Sequence, residues 1–102
     1  MSEASDNQHP RTIDGADVIC FARLENLECA ETTNHMVKGE YVNQFIGLAI
    51  ASFSGEMDFY LFYCGEDWSV LTDTLHQSID SAKQQAEFEF PGVSTRWRDS
   101  TA

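Results

Sequence analysis

The segment SIDSAKQQAEFEFPG, residues 78–92, decides the fold of this chain because it predicts one helix with clear limits. Ser78 can cap the helix, since its hydroxyl can accept a hydrogen bond from a free backbone N–H of the first turn. Ala82 and Ala86 lie one turn apart and belong to a narrow apolar stripe. Pro91 ends the helix, because proline disfavours the α conformation in the residue before it and cannot donate the next backbone hydrogen bond.

The other side of this helix is predicted to face water, and the chain beyond it to close the fold. The polar side comprises Asp80, Lys83, Gln84, Gln85, Glu87 and Glu89. Residues 92–97, GVSTRW, predict a short closing strand or an extended tail. In either form we expect Trp97 to fold back over the core, so the segment 78–97 is interpreted as scaffold.

The chain before the helix contains three clear strand patterns and one weaker pattern. Apolar residues alternate along 16–28, and β-branched or aromatic residues are frequent in 41–55 and 58–64, as is typical of strands. The shorter segment 69–75, SVLTDTL, predicts a fourth strand. Residues 29–40 show no clear period and are interpreted as a loop.

The second of these strands has two unequal sides. One side carries large residues, whereas the other has a small-residue row of Gly47, Ala49 and Ala51. A row without bulky side chains lets another element approach the strand backbone closely. We therefore predict that the alanines of the helix, Ala82 and Ala86, pack against this row.

These elements predict an α+β fold, in which a mostly antiparallel sheet of three to five strands carries one C-terminal helix on one face. A chain of 102 residues has room for a single core. We expect one domain over residues 16–98, with a flexible lead-in at 1–15 and a flexible tail at 99–102.

The composition is strongly acidic. There are 17 aspartates and glutamates against 6 lysines and arginines, which gives a formal net charge of −11. Such a charge repels the phosphates of nucleic acids and anionic lipid surfaces, so neither is an expected partner. It accelerates encounter with a basic protein, which is the partner that we predict. The same acidity also keeps an abundant cytosolic protein soluble, so charge alone does not identify a binding protein.

The sequence predicts a cytoplasmic protein. Residues 1–15 are polar and have the pattern of neither a secretory signal nor a transit peptide. No run approaches the roughly 18 apolar residues that cross a bilayer, so no membrane association is expected. Cys20, Cys29 and Cys64 are odd in number and lack CxxC spacing, which disfavours a disulfide framework and fits a reducing compartment.

No cofactor or metal site is predicted from the motifs. His9, His35 and His76 lack the spacing of zinc ligands, and the glycines form no nucleotide-binding motif. A catalytic alternative is a Cys64–His76 pair in a pocket between sheet and helix, with the cysteine as nucleophile. Against this alternative, a cysteine at the end of an apolar strand usually behaves as a small buried hydrophobe.

The acidic turns around Trp68 are the predicted binding surface. Between residues 56 and 89, eight carboxylates accompany a single lysine. An acidic rim around an exposed aromatic side chain is typical of an interface that grips a basic protein. The predicted contact residues are Glu56, Asp58, Glu66, Asp67, Trp68 and Asp73. The competing interpretation is that Trp68 is buried and the carboxylates only coat the surface.

The last third of the chain, YLFYCGEDWSVLTDTLHQSIDSAKQQAEFEFPGVSTRW, resembles a pattern in small bacterial proteins without an assigned activity. The shared features are an aromatic strand that ends in cysteine, an acidic turn with tryptophan, a DT.H.S...AK.QAE.EF.G helix and a terminal tryptophan. The resemblance covers residues 60–97 and implies no activity. In size and acidity the chain is similar in general character to immunity proteins, which neutralise bacterial toxins.

We therefore expect a non-enzymatic cytosolic binding protein, with inhibition of a basic protein toxin as its concrete role. Two alternatives stay open. One is a small enzyme or ligand-binding domain at the Cys64–His76 pocket, and the other is a homodimeric structural or regulatory subunit that associates through a strand edge. The predicted oligomeric state is a monomer or a weak homodimer.

Overall fold

A computed structural model describes residues 10–25, 35–37, 40–42 and 45–100 of the chain. These ranges form an antiparallel sheet with one α helix packed on it. The predicted α+β fold, with a mostly antiparallel sheet and one C-terminal helix on one face, is therefore confirmed.

The elements follow one another in short connections wherever the chain is described. The strands are β1 (Thr12–Ile13), β2 (Ala16–Arg23), β3 (His35–Val37), β4 (Glu40–Val42), β5 (Gly47–Ser52), β6 (Phe59–Cys64), β7 (Val70–His76) and β8 (Arg98–Asp99). The helix α1 spans Ile79–Glu89, and two 3-10 helices span Glu66–Trp68 and Val93–Thr95. None of the helices in the described ranges has the length and hydropathy that a bilayer crossing requires.

The main sheet has the strand order β1-β2-β5-β6-β7, and every neighbouring pair is antiparallel. The short strand β8 pairs with β2 on the side away from β5. β3 and β4 form a separate hairpin, and β3 lies beside β7. The strands predicted at 16–28 and 58–64 are present with shorter limits, and the one predicted at 69–75 is shifted by one residue. The strand predicted at 41–55 is divided between the end of β4 and β5, and β3 lies within the loop predicted at 29–40.

The sheet begins earlier in the chain than predicted. β1 pairs with the start of β2 through a tight turn, in which Asp14 and Gly15 have φ angles of 52° and 88°. Glycine adopts such positive φ angles without steric cost, and aspartate tolerates them. Ile13 is also buried. The sheet therefore includes residues 12–15, which the sequence placed in the lead-in, while residues 1–9 lie outside the described part.

The helix begins and ends as predicted. Ser78 Oγ accepts a hydrogen bond from the Ser81 N–H over 3.0 Å, which satisfies one of the free donors of the first turn. The last helical residue is Glu89, two positions before Pro91. The helix is thus defined at both ends by the residues that predicted it.

A carboxylate ties the following turn to the helix. Glu87 accepts hydrogen bonds from the backbone N–H groups of Gly92 and Ser94, over 2.9 Å and 3.0 Å. These bonds favour the charged form, so they hold the pKa of Glu87 below its ordinary value of 4.5. Residues 93–95 form a 3-10 helix here rather than the predicted strand.

The closing strand follows this turn as β8. Arg98 and Asp99 pair with β2, and the Ser100 N–H donates to the Ile19 carbonyl over 2.9 Å. The predicted tail therefore begins inside the sheet. Trp97 packs against the core that α1 covers, so its predicted return over the core is confirmed.

We call the side of the sheet against α1 the helix face. Its buried sheet residues are Cys20, Ala22, Leu48, Ile50, Leu61 and Tyr63. Ala82 and Ala86 of α1 are fully buried against them. The prediction that these alanines pack on Gly47, Ala49 and Ala51 is wrong, because that row lies on the other side of β5.

We call the opposite side the indole face, because the Trp68 side chain lies on it. Its buried sheet residues are Ala16, Val18, Phe21, Ala49, Ala51, Phe62 and Cys64. Ile13 of β1 and the half-buried Phe53 pack into the same cluster. Gly47 therefore lies under an aromatic ring, and Ala49 and Ala51 are buried in this cluster rather than under the helix.

Candidate functional site

Trp68, the predicted exposed anchor, is buried on the indole face. The side chain is 6% exposed, so the prediction of an accessible indole is wrong. A Cβ atom on Gly47 would lie 2.6 Å from Cη2 of the indole, which is closer than van der Waals contact allows. The Phe21 ring meets the indole edge-on, with centroids 5.8 Å apart. The missing side chain at Gly47 is therefore what allows the ring to lie against β5.

The turn that carries Trp68 has an unusual backbone. Asp67 and Trp68 have φ angles of 61° and 60°, in the left-handed region that residues other than glycine seldom adopt. Such a conformation costs on the order of 1–3 kcal/mol per residue and persists only where the surroundings enforce it. The Trp68 N–H donates to the Gly65 carbonyl over 3.1 Å, and the Gly65 N–H donates to the Ser69 carbonyl over 2.9 Å. Burial of the indole offsets the strain of the turn.

The predicted contact residues do not form one surface. Glu56 and Asp58 precede β6, whereas Glu66 and Asp67 follow it. Six residues of strand separate the two pairs, which corresponds to about 20 Å. Asp73 lies between them on β7, on the indole face. All of these carboxylates are exposed, but they do not surround Trp68 as a single acidic patch.

The two ends of the sheet differ in charge. We call the end with the β5–β6 loop the hairpin end. Its exposed carboxylates belong to Asp17, Glu56, Asp58 and Asp80. The segments that meet at this end, residues 16–17, 52–58 and 76–81, contain no lysine or arginine, but the exposed Arg11 lies beside them, because its carbonyl accepts a hydrogen bond from the Val18 N–H over 2.9 Å. The four carboxylates of this end are therefore offset in part by one neighbouring arginine.

The opposite end, which we call the turn end, carries both signs of charge. Its exposed carboxylates belong to Glu25, Glu66 and Asp67. The Arg23 guanidinium lies over the Trp68 ring, 5.9 Å from the centroid. Arg96 Nη1 donates hydrogen bonds to the carbonyls of Arg23 and Glu25. Two cations thus reduce the negative field at the turn end.

Exposed apolar side chains lie beside the hairpin end. Leu75 on β7 is 57% exposed, and Met57 in the β5–β6 loop is 88% exposed. Tyr60 is the cross-strand partner of Leu75, and the Phe53 ring meets the Tyr60 ring edge-on with centroids 5.4 Å apart. We call these four residues the apolar strip; pairing and ring contact link Leu75, Tyr60 and Phe53, and Met57 is included because it lies in the loop that joins β5 to β6. Alternation along SVLTDTL predicts which residues share one face of the strand, but it does not predict that Leu75 is exposed to solvent on that face.

Cys64 and His76 do not form the catalytic pair that the enzyme alternative requires. Cys64 pairs with Val70 on the indole face, whereas His76 pairs with Phe59 at the other end of β6 and contacts α1. Cys64 is fully buried, and this burial raises the pKa of its thiol to about 12, with a smaller contribution from the Asp14 carboxylate. The thiol is therefore protonated and closed to a substrate.

A row of polar side chains joins β7 to α1. Thr74 Oγ1 lies 2.8 Å from His76 Nε2, and His76 Nδ1 lies 3.3 Å from Ser81 Oγ. Partial burial lowers the pKa of His76, against an opposing effect of the Glu89 carboxylate. A neutral imidazole satisfies both hydroxyls, because one ring nitrogen donates and the other accepts. This row holds the start of α1 on the edge strand β7.

Glu89, the last residue of α1, is buried. The sequence placed it on the polar side of the helix, so the prediction that it faces water is wrong. It is 4% exposed, and its Oε2 accepts hydrogen bonds from the Tyr63 hydroxyl over 3.0 Å and from Gln85. A signal was present, because Ser81, Gln85 and Glu89 follow one another at four-residue spacing and share one side of the helix. Since Tyr63 is also fully buried, the group acts as a polar tie between α1 and β6.

Neither a metal-binding group nor similarity to a known protein identifies an additional functional site in the described residues. In the described residues, no group of three or more histidine, cysteine, aspartate or glutamate side chains is placed to hold a metal ion. No protein-family model matches the chain, and neither a curated protein nor a solved structure is significantly similar to it. The charge distribution and the apolar strip are therefore the basis on which a function is inferred.

Proposed function

We propose that this chain is a non-enzymatic binding protein that captures a cationic protein at its hairpin end. The observation that supports the proposal is the gathering of four exposed carboxylates, those of Asp17, Glu56, Asp58 and Asp80, beside one neighbouring arginine, Arg11. Like charges at one end of a small protein create a directional field, which steers an oppositely charged protein toward that end. The mixed charges of the turn end create a weaker field.

The concrete role that we propose is inhibition of a basic protein toxin in the cytoplasm, in the manner of an immunity protein. In this role the carboxylates of the hairpin end occupy a cationic cleft of the toxin and exclude its substrate. The net charge of −11 speeds capture and also opposes association between two copies of the chain. We therefore propose that the chain acts as a monomer or a weak homodimer.

Two matched double substitutions test the proposal. Glu56→Gln with Asp58→Asn removes two charges at the hairpin end, and Glu66→Gln with Asp67→Asn removes two at the turn end. All four side chains are exposed, so both variants should fold normally. The wild-type chain is immobilised and exposed at low salt to an extract of its source cell. Basic proteins that it retains are purified, and their association rates with the wild type and both variants are measured at several salt concentrations.

We expect the hairpin-end variant to associate about tenfold more slowly at low salt, and the turn-end variant to be affected much less. The difference should shrink as salt is raised, because the Debye length falls to about 8 Å at physiological ionic strength. Equal slowing by the two variants would contradict the proposal, as would the retention of acidic or neutral proteins only.

A further inference from the structure

The apolar strip continues the buried core of the indole face out into solvent. Ala51 and Phe62 are 0% and 3% exposed, whereas Leu75 is 57% exposed and Met57 is 88% exposed. Tyr60 connects the two parts, because its ring stacks on that of Phe62 at 6.0 Å while Leu75 is its cross-strand partner. Large apolar side chains grouped on a surface are typical of sites that contact another molecule.

Carboxylates border this strip. Asp73 precedes Leu75 by two residues on β7, so the two side chains share one face of the sheet. Glu56 and Asp58 flank Met57 in the β5–β6 loop, and all three carboxylates are exposed. A molecule that covers the strip therefore meets negative charge at its border. This arrangement selects for an occupant that is apolar at its centre and cationic around it.

We propose that the apolar strip is the anchor site for a cationic segment of the protein partner, one that carries large aliphatic or aromatic side chains among its lysines or arginines. The anchor site rests on the proposed function, because charge brings the partner to the hairpin end and apolar contact then holds it. A second copy of this chain fits poorly, since its acidic border would face identical carboxylates. Exposed charges act mainly on the association rate, whereas a desolvated apolar contact slows dissociation.

Three synthetic peptides separate charge from apolar contact. The first alternates lysine with leucine, the second has serine in place of each leucine, and the third has glutamate in place of each lysine of the first. Binding of each peptide to the wild-type chain is measured by titration calorimetry at low salt. We expect the lysine–leucine peptide to bind about tenfold more tightly than the lysine–serine peptide, and the glutamate–leucine peptide not to bind.

Single substitutions then locate the contact. Leu75→Ser should weaken binding of the lysine–leucine peptide by about tenfold and leave the lysine–serine peptide unaffected. The matched control is Phe88→Ser on α1, because Phe88 is 63% exposed and lies outside the strip; it should change neither affinity. Met57→Ser provides a second test that removes no buried contact, since Met57 is 88% exposed.

The outcomes distinguish the anchor site from the proposed function. Equal affinities for the two lysine peptides, or equal losses from Leu75→Ser and Phe88→Ser, would overturn the anchor site and leave the proposed function standing. If neither lysine peptide binds more tightly than the glutamate–leucine peptide, the proposed function itself is contradicted. If light scattering shows a wild-type dimer that Leu75→Ser abolishes, the strip joins two copies of the chain and the anchor proposal is wrong.

Discussion

The two faces of the sheet are closed in opposite ways. On the helix face, large sheet residues such as Leu48 and Ile50 lie under small ones, Ala82 and Ala86 of α1. On the indole face, Gly47 of β5 lies under one large ring, that of Trp68, and Ala49 and Ala51 are buried in the same cluster. Protein interiors are packed to nearly constant density. A large side chain that packs on a sheet therefore requires small side chains on the strand beneath it, whereas small side chains of a helix leave room for large ones on the strand. The size pattern of β5 thus specifies two different kinds of contact.

The faces also differ in how many residues they depend on. The helix face shares its burial among the residues of an 11-residue helix and the segment that follows it. At the turn end, the indole face depends on a single side chain, which a turn with two positive φ angles holds in place. We therefore expect single substitutions to have larger effects on the indole face than on the helix face.

The largest expected effect is at Trp68 itself. Trp68→Ala should lower the free energy of unfolding by about 3–5 kcal/mol, because it empties the space above β5 and leaves the strained turn without compensation. Urea denaturation followed by circular dichroism measures the change. A loss below about 1 kcal/mol would show that the indole is not the main cover of this face.

Gly47→Ala tests the same contact from the strand β5, on which the Trp68 ring lies. Its methyl group would lie 2.6 Å from the Trp68 ring and 3.1 Å from the carbonyl oxygen of Ala22, so we expect a loss of about 2–3 kcal/mol in the free energy of unfolding. In a Trp68→Ala background the same change should cost far less, because the ring is gone. Denaturation of the single and double variants completes the cycle, and additive losses would contradict direct contact between ring and strand.

Tyr63→Phe tests the polar tie on the helix face. The substitution removes one hydrogen-bond donor from the buried carboxylate of Glu89, so we expect a loss of about 1–2 kcal/mol in the free energy of unfolding. Tyr60→Phe is the matched control, since its side chain is half-buried on the other face; it should change stability by less than about 0.5 kcal/mol. Equal losses from the two substitutions would contradict a specific stabilising role of the Tyr63–Glu89 hydrogen bond.

The smallest expected effect is the pH dependence that Glu87 contributes. Its pKa is held below the ordinary value by the N–H groups of Gly92 and Ser94, so its carboxylate stabilises the folded chain above pH 4.5. This contribution is lost as pH falls through the lowered pKa, because the folded state must then accept a proton that it binds weakly. Thermal unfolding of the wild type and Glu87→Gln should therefore differ near neutral pH and converge in acid. A constant difference at every pH would contradict this role.

Much of the fold follows from local patterns in the sequence. Ser78 and Pro91 define α1 because capping and termination depend only on the nearest turn of backbone. The strands before it follow from alternation, which is also a local property. The β1–β2 hairpin was missed although Asp14 and Gly15 are a common turn pair, because the polar residues before them obscure a strand of two residues.

The contacts between elements could not be predicted in the same way. Periodicity showed that Gly47, Ala49 and Ala51 share a side of β5, but either α1 or the Trp68 ring fits a floor of small residues. Glu89 is predicted to face solvent because a charged residue is seldom buried without a partner, and its partner Tyr63 is distant in sequence. The acidic residues of the predicted contact surface lie at both the hairpin end and the turn end. Which end each one reaches depends on how the strands are connected rather than on distance along the sequence.

The two tryptophans give each face of the sheet its own fluorescent reporter. Trp68 is enclosed among rings and a guanidinium, whereas Trp97 lies on the other side of the sheet with the Lys83 ammonium 5.7 Å from its ring centroid. The Nε1–H of Trp97 is buried and has no acceptor among the described residues. Fluorescence from a Trp97→Phe version of the chain can therefore follow the surroundings of Trp68 alone, and comparison with the wild type then isolates the signal of Trp97, without any added label.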